Sequence, residues 1–332
     1  MISFIVIGRN EGWKLKKCLK SVFETIHHNN LSDSEIIYVD SKSTDGSAEK
    51  ARTFKRVRVY SISGECNAAI ARNIGAKEAK GDILFFIDGD MELESTFISK
   101  ALNEKQELKY DYITGHLDDY LYTYDDEFLG VRQRTYEEII PVKEQILLTN
   151  GGAFLIKKKI WNKVGRMKTK YRRSQDLDFS FRLKKLNIKL IRLPYLIVKH
   201  HTVDYKNEKR MWNNLMDGYI LFAAMLFRDH IGSIDSWKRL IRSNYTAIAL
   251  LVVVFCSVLF QHLVVQLLII LFIILFVRAI NHVWNTNTTK NKTLFVINRV
   301  IYQIATDFIF WIGVIFFFPA SKRISYKRLE RL

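Results

Sequence analysis

Five apolar residues in a row, Ile83-Leu84-Phe85-Phe86-Ile87, run directly into Asp88-Gly89-Asp90. A short apolar run bounded by turn residues reads as a buried strand. Side chains alternate faces along a strand, so neither carboxylate at its exit has to enter the core. Taken alone, Asp-Gly-Asp is an acidic turn, because these residues favour turns. It is also a pair of oxygen ligands for a hard divalent cation. Such a cation can in turn grip a diphosphate.

The first half of the chain repeats this pattern of strand and polar exit. Ile2–Ile7 is a strand followed by Gly8-Arg9-Asn10-Glu11. A helix follows, with Leu15, Leu19, Val22 and Ile26 on one face and Asn10 as its N-cap. Glu35–Val39 is a second strand with the exit Asp40-Ser41-Lys42-Ser43-Thr44-Asp45-Gly46-Ser47, and 58–61 is a third. A helix over 67–79 leads into the 83–87 strand. Such alternation predicts an α/β fold, Rossmann-like, with a mostly parallel sheet and helices on both faces. Ligands of such a sheet bind beyond the carboxyl ends of its strands, where Asp40 and Asp88 lie. Residues 110–140 lack a clean period and read as strands and loops particular to this chain. Gly151-Gly152 precedes a strand at 153–156 and would let a substrate approach the backbone closely.

The second half has a different composition. From Thr246 to Val277 there is no formally charged residue. As one helix that run would reach about 48 Å, against a hydrocarbon core near 30 Å. Gln261-His262 at its middle allows either a short hairpin or one long tilted helix. A further apolar stretch, about 300–318, contains Gln303 and Asp307, and an acid at membrane depth faces protein or water. Upstream, Trp212, Leu215, Tyr219, Phe222 and Leu226 fall on one helical face, as in an interfacial helix. The expected organisation is a catalytic domain at 1–205, interfacial helices at 206–243, and a membrane region at 244–332. That region holds segments near 246–260, 263–277 and 300–318 and a basic tail.

The net charge of +17 fits this plan. Many of the basic residues flank apolar segments in the C-terminal third, as Lys238, Arg239 and Arg242 do, and then Lys322, Arg323, Lys327 and Arg328. That suits an anionic lipid surface and not nucleic acid. Cys18, Cys66 and Cys256 have no metal-ligand spacing, which fits a reduced cytosolic setting. The N-terminus reads as a first strand and not as a signal peptide. A multi-pass inner-membrane protein with a cytoplasmic catalytic domain follows, and its basic tail requires an even number of crossings, as a hairpin followed by a re-entrant or interfacial segment or as two separate spans.

Ala71-Arg72-Asn73-Ile74-Gly75, then Ala79-Lys80-Gly81-Asp82, then Asp88-Gly89-Asp90 resembles the A-R-N-x-G…A-x-G-D…D-x-D block of family 2 glycosyltransferases, which have the GT-A fold. Three more blocks carry the resemblance over about residues 2–201. Val39-Asp40-Ser41-Lys42-Ser43-Thr44-Asp45-Gly46-Ser47 is similar to the family's V-D-D/S-x-S-T-D-G-S. Phe4–Glu11 matches the loop beside the nucleotide. Arg173-Ser174-Gln175-Asp176-Leu177-Asp178-Phe179-Ser180-Phe181-Arg182-Leu183 resembles E-D-x-D-L-S-x-R-L, with Gln175 departing from the usual Glu.

The resemblance implies roles. Gly8, Asn10, Glu11, Asp40, Arg72, Asp88 and Gly152 would bind the nucleotide-sugar. Asp40 would meet the base, and a carboxylate can accept from a uracil N–H, which favours a UDP-sugar. Asp88 and Asp90 would hold Mg2+ or Mn2+, with His200, two residues after Val198, as a further ligand or as a structural histidine. Asp176 would be the catalytic base of a one-step inverting transfer to a lipid-linked or membrane-proximal acceptor. Asp178 is the rival base, and a helix N-cap is the structural alternative for Asp176. Asp45 would be structural, and Arg72 could equally form a helix-surface salt bridge.

Three other functions fit the sequence less well. A processive synthase carries Q-x-x-R-W after the base, and Asn207-Glu208-Lys209-Arg210-Met211-Trp212 does not match it. Nucleotidyl transfer would show a Gly-rich basic loop after the first strand. A scaffold binding nucleotide-sugar without turnover would not need Asp40, Asp88, Asp90 and Asp176 together.

Overall fold

The structure is a computed structural model that describes residues 1–134, 143–149, 151–203, 208–284 and 292–331. The chain forms two compact units, residues 1–205 with 320–332, and residues 206–319.

The first unit runs β1 (Ile2–Gly8), α1 (Trp13–His28), β2 (Ser34–Asp40), α2 (Ser47–Arg52), β3 (Val57–Ile62), α3 (Ala68–Glu78), β4 (Ile83–Asp88), β5 (Met91–Leu93) and α4 (Phe97–Ala101). It continues with β6 (Tyr112–Tyr122), β7 (Phe128–Arg134), β8 (Gln145–Leu147), β9 (Phe154–Lys157), α5 (Lys158–Lys163), α6 (Gln175–Lys185) and β10 (Leu190–Val203). The second unit holds α7 (Glu208–Met216), α8 (Tyr219–Asp229), α9 (Ile234–Leu259), α10 (Val264–Trp284) and α11 (Lys292–Phe316). The chain then returns to the first unit as β11 (Tyr326–Leu329).

One mixed sheet organises the first unit, in the order β11-β3-β2-β1-β4-β9-β6-β10-β5. β3, β2, β1 and β4 are mutually parallel. β9 is antiparallel to both β4 and β6, so β6 and its parallel partner β10 point the same way as β4. Strand alternation divides the core. Phe4 and Val6 face Leu15, Leu19 and Phe97 on one side, and Ile5 and Ile7 face Ile70, Trp161 and Phe179 on the other. Gly75 of the Ala71–Gly75 block explains itself here, because a Cβ on it would lie 2.2 Å from Ile5 Cγ2. Helix α3 can therefore lie directly on β1 only without a side chain at that position.

Several expectations are corrected. Asn10 does not cap α1. The N-cap is Gly12, and Asn10 takes a left-handed φ of 58°. Its Oδ1 accepts from the Thr44 backbone N–H at 2.7 Å, tying the β1 exit to the β2 exit. β10 continues past Val198, so His200 and His201 are strand residues and do not follow the strand. The apolar face expected from Trp212 to Leu226 is split between α7 and α8, with Gly218 at a left-handed φ of 70° between them. Asn207 of the synthase comparison lies outside the described residues, as do residues 135–142 of the irregular region.

The basic tail is also corrected. It pairs with β3 antiparallel, Tyr326 opposite Ile62, and belongs to the sheet. Tyr326 supplies the reason, since its ring packs on Tyr60 and its hydroxyl donates to Glu78 Oε1 at 2.5 Å. Because β11 starts and β10 ends at the carboxyl end of the parallel strands, both chain connections leave this unit at that end.

Among the described residues of the second unit three helices are long and apolar enough to cross a membrane, Ile234–Leu259, Gln261–Trp284 and Lys292–Phe316. The first is interrupted at Asn244, whose φ of −144° and ψ of 43° are not helical.

Candidate active site

The exits of β1, β2 and β4 meet at the carboxyl edge of the sheet. Glycines allow the meeting. A Cβ on Gly8 would lie 2.8 Å from Glu11 Cγ, and one on Gly89 would lie 2.9 Å from the same atom. The stem of Glu11 thus rests on two glycine backbones and its carboxyl points into the acidic cluster. Burial, then the charge of Asp90, raise the Glu11 pKa to about 8, with Asp88 adding a smaller push.

Asp40 ends β2 and is buried. Its Oδ1 accepts from Tyr38 Oη at 3.2 Å and its Oδ2 from the Ser43 backbone N–H at 3.0 Å. These bonds fix the carboxylate and leave it lone pairs for a further donor. Asp45 braces the same loops, accepting from the N–H groups of Gly12 at 2.8 Å and Ser47 at 3.0 Å.

Arg72 is not on a helix surface. It is buried, and its Nη2 donates to Asp88 Oδ1 at 2.6 Å. Its Nε is buried with no hydrogen-bond partner among the described residues. A spare guanidinium donor beside a carboxylate suits an anionic oxygen such as a phosphate. Gly152 closes over the same point, since a Cβ there would lie 2.3 Å from Asp88 Oδ2.

His200 stands across from Asp90. Its Nε2 is 3.3 Å from Asp90 Oδ2, and its Nδ1 is 2.7 Å from Asp119 Oδ1. Burial depresses the His200 pKa, but the hydrogen bonds to Asp119 and Asp90 outweigh it and hold the ring at about 9. Asp119 is fully buried, lies opposite His200 in the β6–β10 register, and is also bound by Arg132 Nη2 at 3.0 Å. The sequence reading missed Asp119. Its signal was the spacing within β6, visible only once β6 is paired with β10.

A divalent cation can be tested against these groups. Asp90 Oδ1 is buried and has no partner among the described residues. It lies beside a histidine whose other nitrogen is held by a carboxylate, the usual support for a metal-ligating imidazole. This oxygen-and-imidazole set fits Mg2+ or Mn2+. Asp88 is turned to Arg72, and among the described residues no three His, Cys, Asp or Glu side chains converge on one point. Asp90 and His200 are therefore the fitting protein ligands, while Asp88 Oδ1 is held by Arg72.

Asp176 lies in the first turn of α6, half-buried, where an acid complements the helix macrodipole. Its charge reaches Tyr112, a buried phenol whose pKa is raised chiefly by burial and which also senses Arg72. The N-cap is Ser174 at a left-handed φ of 61°, so Asp176 is not the cap. Asp178, the rival base, is fully buried between Lys168 Nζ at 3.2 Å and Arg182 Nη2 at 2.8 Å. A carboxylate so enclosed holds α6 in place and has no approach to an acceptor. Gln175 Oε1, where the family pattern has Glu, is buried without a partner among the described residues.

Comparison with known proteins agrees with this geometry. The sequence model of glycosyl transferase family 2 matches residues 3–168, half of the chain. The chain belongs to glycosyl transferase family 2. This family 2 member is 29% identical over 182 residues to the glycosyltransferase GlyG of Streptococcus pneumoniae, covering 49% of this chain and 59% of that protein. It is 29% identical over 193 residues to an uncharacterized glycosyltransferase of Haemophilus influenzae, covering 55% and 62%. The chain thus spans about three fifths of these relatives. A crystal structure of GalNAc-T7 with UDP, GalNAc and Mn2+ shares the fold with a TM-score of 0.51 at 17% identity, over 73% of this chain and 54% of that one. The mixed α/β sheet of this family 2 member is accordingly GT-A-like.

Proposed function

We propose that this family 2 chain transfers a sugar from a nucleotide-sugar, favouring a UDP-sugar, to a lipid-linked or membrane-proximal acceptor. The observation that carries the reading is the Asp90–His200 pair, with its unpartnered buried carboxylate oxygen, set beside the spare Nε donor of Arg72. The first group fits a hard cation and the second a phosphate. Asp40, fixed at the β2 exit, is the group that meets the base, and the Gly8 and Gly152 backbones let the donor approach. Asp90 and His200 would hold Mg2+ or Mn2+, which when bound would neutralise charge on the leaving nucleoside diphosphate. Asp176 accepts the proton of the acceptor hydroxyl as that oxygen attacks the anomeric carbon. The C–O bond to the acceptor forms as the bond to the diphosphate breaks, so the configuration inverts.

A lipid-linked acceptor is favoured because both connections to the apolar unit leave from the edge of the sheet that carries the site. The setting is cell-surface glycan or glycolipid synthesis at the inner membrane, with the catalytic unit in the cytoplasm.

The deciding experiment screens nucleotide-sugars for binding and slow hydrolysis, each with Mn2+ and with chelator. Binding of one UDP-sugar that disappears with chelator is the expected result. Equal affinity for all nucleotides, or none, would sink the proposal. Within this reading Asp119 positions His200. Asp119→Asn is expected to weaken Mn2+ affinity ~10–100-fold, read by calorimetry with UDP present. Unchanged Mn2+ affinity in the folded variant would remove Asp119 from that role.

A further inference from the structure

Three helices could cross a membrane, but their connections do not allow all three to do so. β10, before them, and β11, after them, belong to the same sheet. A folded sheet cannot be divided by a bilayer, so the chain between Val203 and Tyr326 crosses an even number of times. One of the three helices, or all of them, must stay on the side of the catalytic unit.

α9 and α10 pair as a hairpin. Arg278 of α10 hydrogen-bonds Thr246 Oγ1 and Ser243 O, and its Nη2 lies 3.3 Å from Asn244 Oδ1. The break in α9 at Asn244 and the sole charge of this part of α10 therefore sit at one level. Beyond that level run two uncharged limbs, 247–259 and 264–277, each about 20 Å long. Their exposed side chains are apolar apart from Gln266, with Val254, Phe255, Leu268 and Phe272 among them. Equal limbs that start at one polar level enter the bilayer together.

α11 differs. It packs on α9 and α10 through Val296 and Val300, and it also lies along α8. Trp212 Nε1 donates to Asn298 Oδ1 at 3.2 Å, and Arg228 Nη1 donates to Val314 O at 3.1 Å. α7 and α8 are too short to cross, and Asp217 between them and Arg228 and Asp229 at the end of α8 lie beside that path. A helix spanning the bilayer at α11 would draw those charges to membrane depth, which is costly. α11 buries Gln303, Thr306 and Asp307 and exposes Leu294, Ile297, Ile301, Phe308, Ile312 and Ile315 as one stripe. That is the pattern of a helix lying in the interface.

Resting on the reading of this chain as a membrane protein, we infer that α11 does not cross. It lies along the bilayer surface on the catalytic side with its Leu294–Ile315 stripe in the acyl chains, and only the α9–α10 hairpin penetrates. The test uses the full chain in membranes, with single added cysteines at exposed positions: Glu104→Cys in the catalytic unit, Lys292→Cys at the start of α11, and Arg323→Cys after it. An impermeant maleimide is applied to vesicles of both orientations, with the parent chain as background. All three cysteines should be labelled in the same orientation and none above background in the other. Labelling of Lys292→Cys from the side opposite Glu104→Cys would overturn the inference, and so would Arg323→Cys on the opposite side. Release of the whole chain by a high-salt wash would instead overturn the membrane reading itself.

Discussion

Asp176→Asn is expected to lower sugar transfer by ~10²–10⁴-fold and to leave UDP-sugar affinity unchanged. The amide keeps the shape of the first turn of α6 but cannot take the acceptor proton. The neighbouring acid provides the contrast. Asp178 is fully buried and paired with Lys168 and Arg182. Asp178→Asn leaves two cations short of their partner, and breaking such a buried pair costs about 3–5 kcal/mol of stability. It should therefore lose activity through folding, visible as a lower thermal midpoint, whereas Asp176→Asn should melt near the parent. Transfer assays and melting curves on both variants separate the roles. A fully active Asp176→Asn beside a stably folded but inactive Asp178→Asn would reverse them.

Asp90→Asn should abolish the metal-dependent part of UDP binding. One carboxylate oxygen of Asp90 is buried without a partner among the described residues, and the other faces His200 Nε2 at 3.3 Å. An amide offers one neutral oxygen in place of the charge that favours a cation. The loss should exceed the ~10–100-fold expected for the supporting residue Asp119. Calorimetry of UDP with and without Mn2+ checks it. A parent chain that binds UDP equally under both conditions would end the metal role of Asp90 and His200. Asp88→Asn has a different expected signature, because Asp88 Oδ1 is already bound by Arg72. Its main loss should be in nucleotide affinity, with the Mn2+ effect weakened and not abolished.

The strands of the parallel core were legible because each is a short apolar run closed by turn residues, and α1 because Leu15, Leu19, Val22 and Ile26 keep a helical period. β6 and β7 were not legible. An acidic residue there serves the site, Asp119 holding His200. Such positions break the alternation on which strand reading depends. The tail misled for a related reason. Lys327 and Arg328 look like a lipid-facing basic tail, yet β11 is an edge strand, where charged side chains project beside backbone pairing.

Asp88-Gly89-Asp90 shows where each kind of information stops. Sequence alone determined that two carboxylates leave a buried strand beside the exits holding Asp40 and Glu11, because burial and turn chemistry are local. Which partner each carboxylate takes depends on strands distant in sequence. Pairing of β6 with β10 brings Asp119 to His200, His200 then faces Asp90, and the packing of α3 on β1 delivers Arg72 to Asp88. Tertiary structure therefore decided that Asp90 faces His200 and Asp88 the Arg72 guanidinium, since a charge half-buried at a sheet edge is settled by whatever the neighbouring elements present.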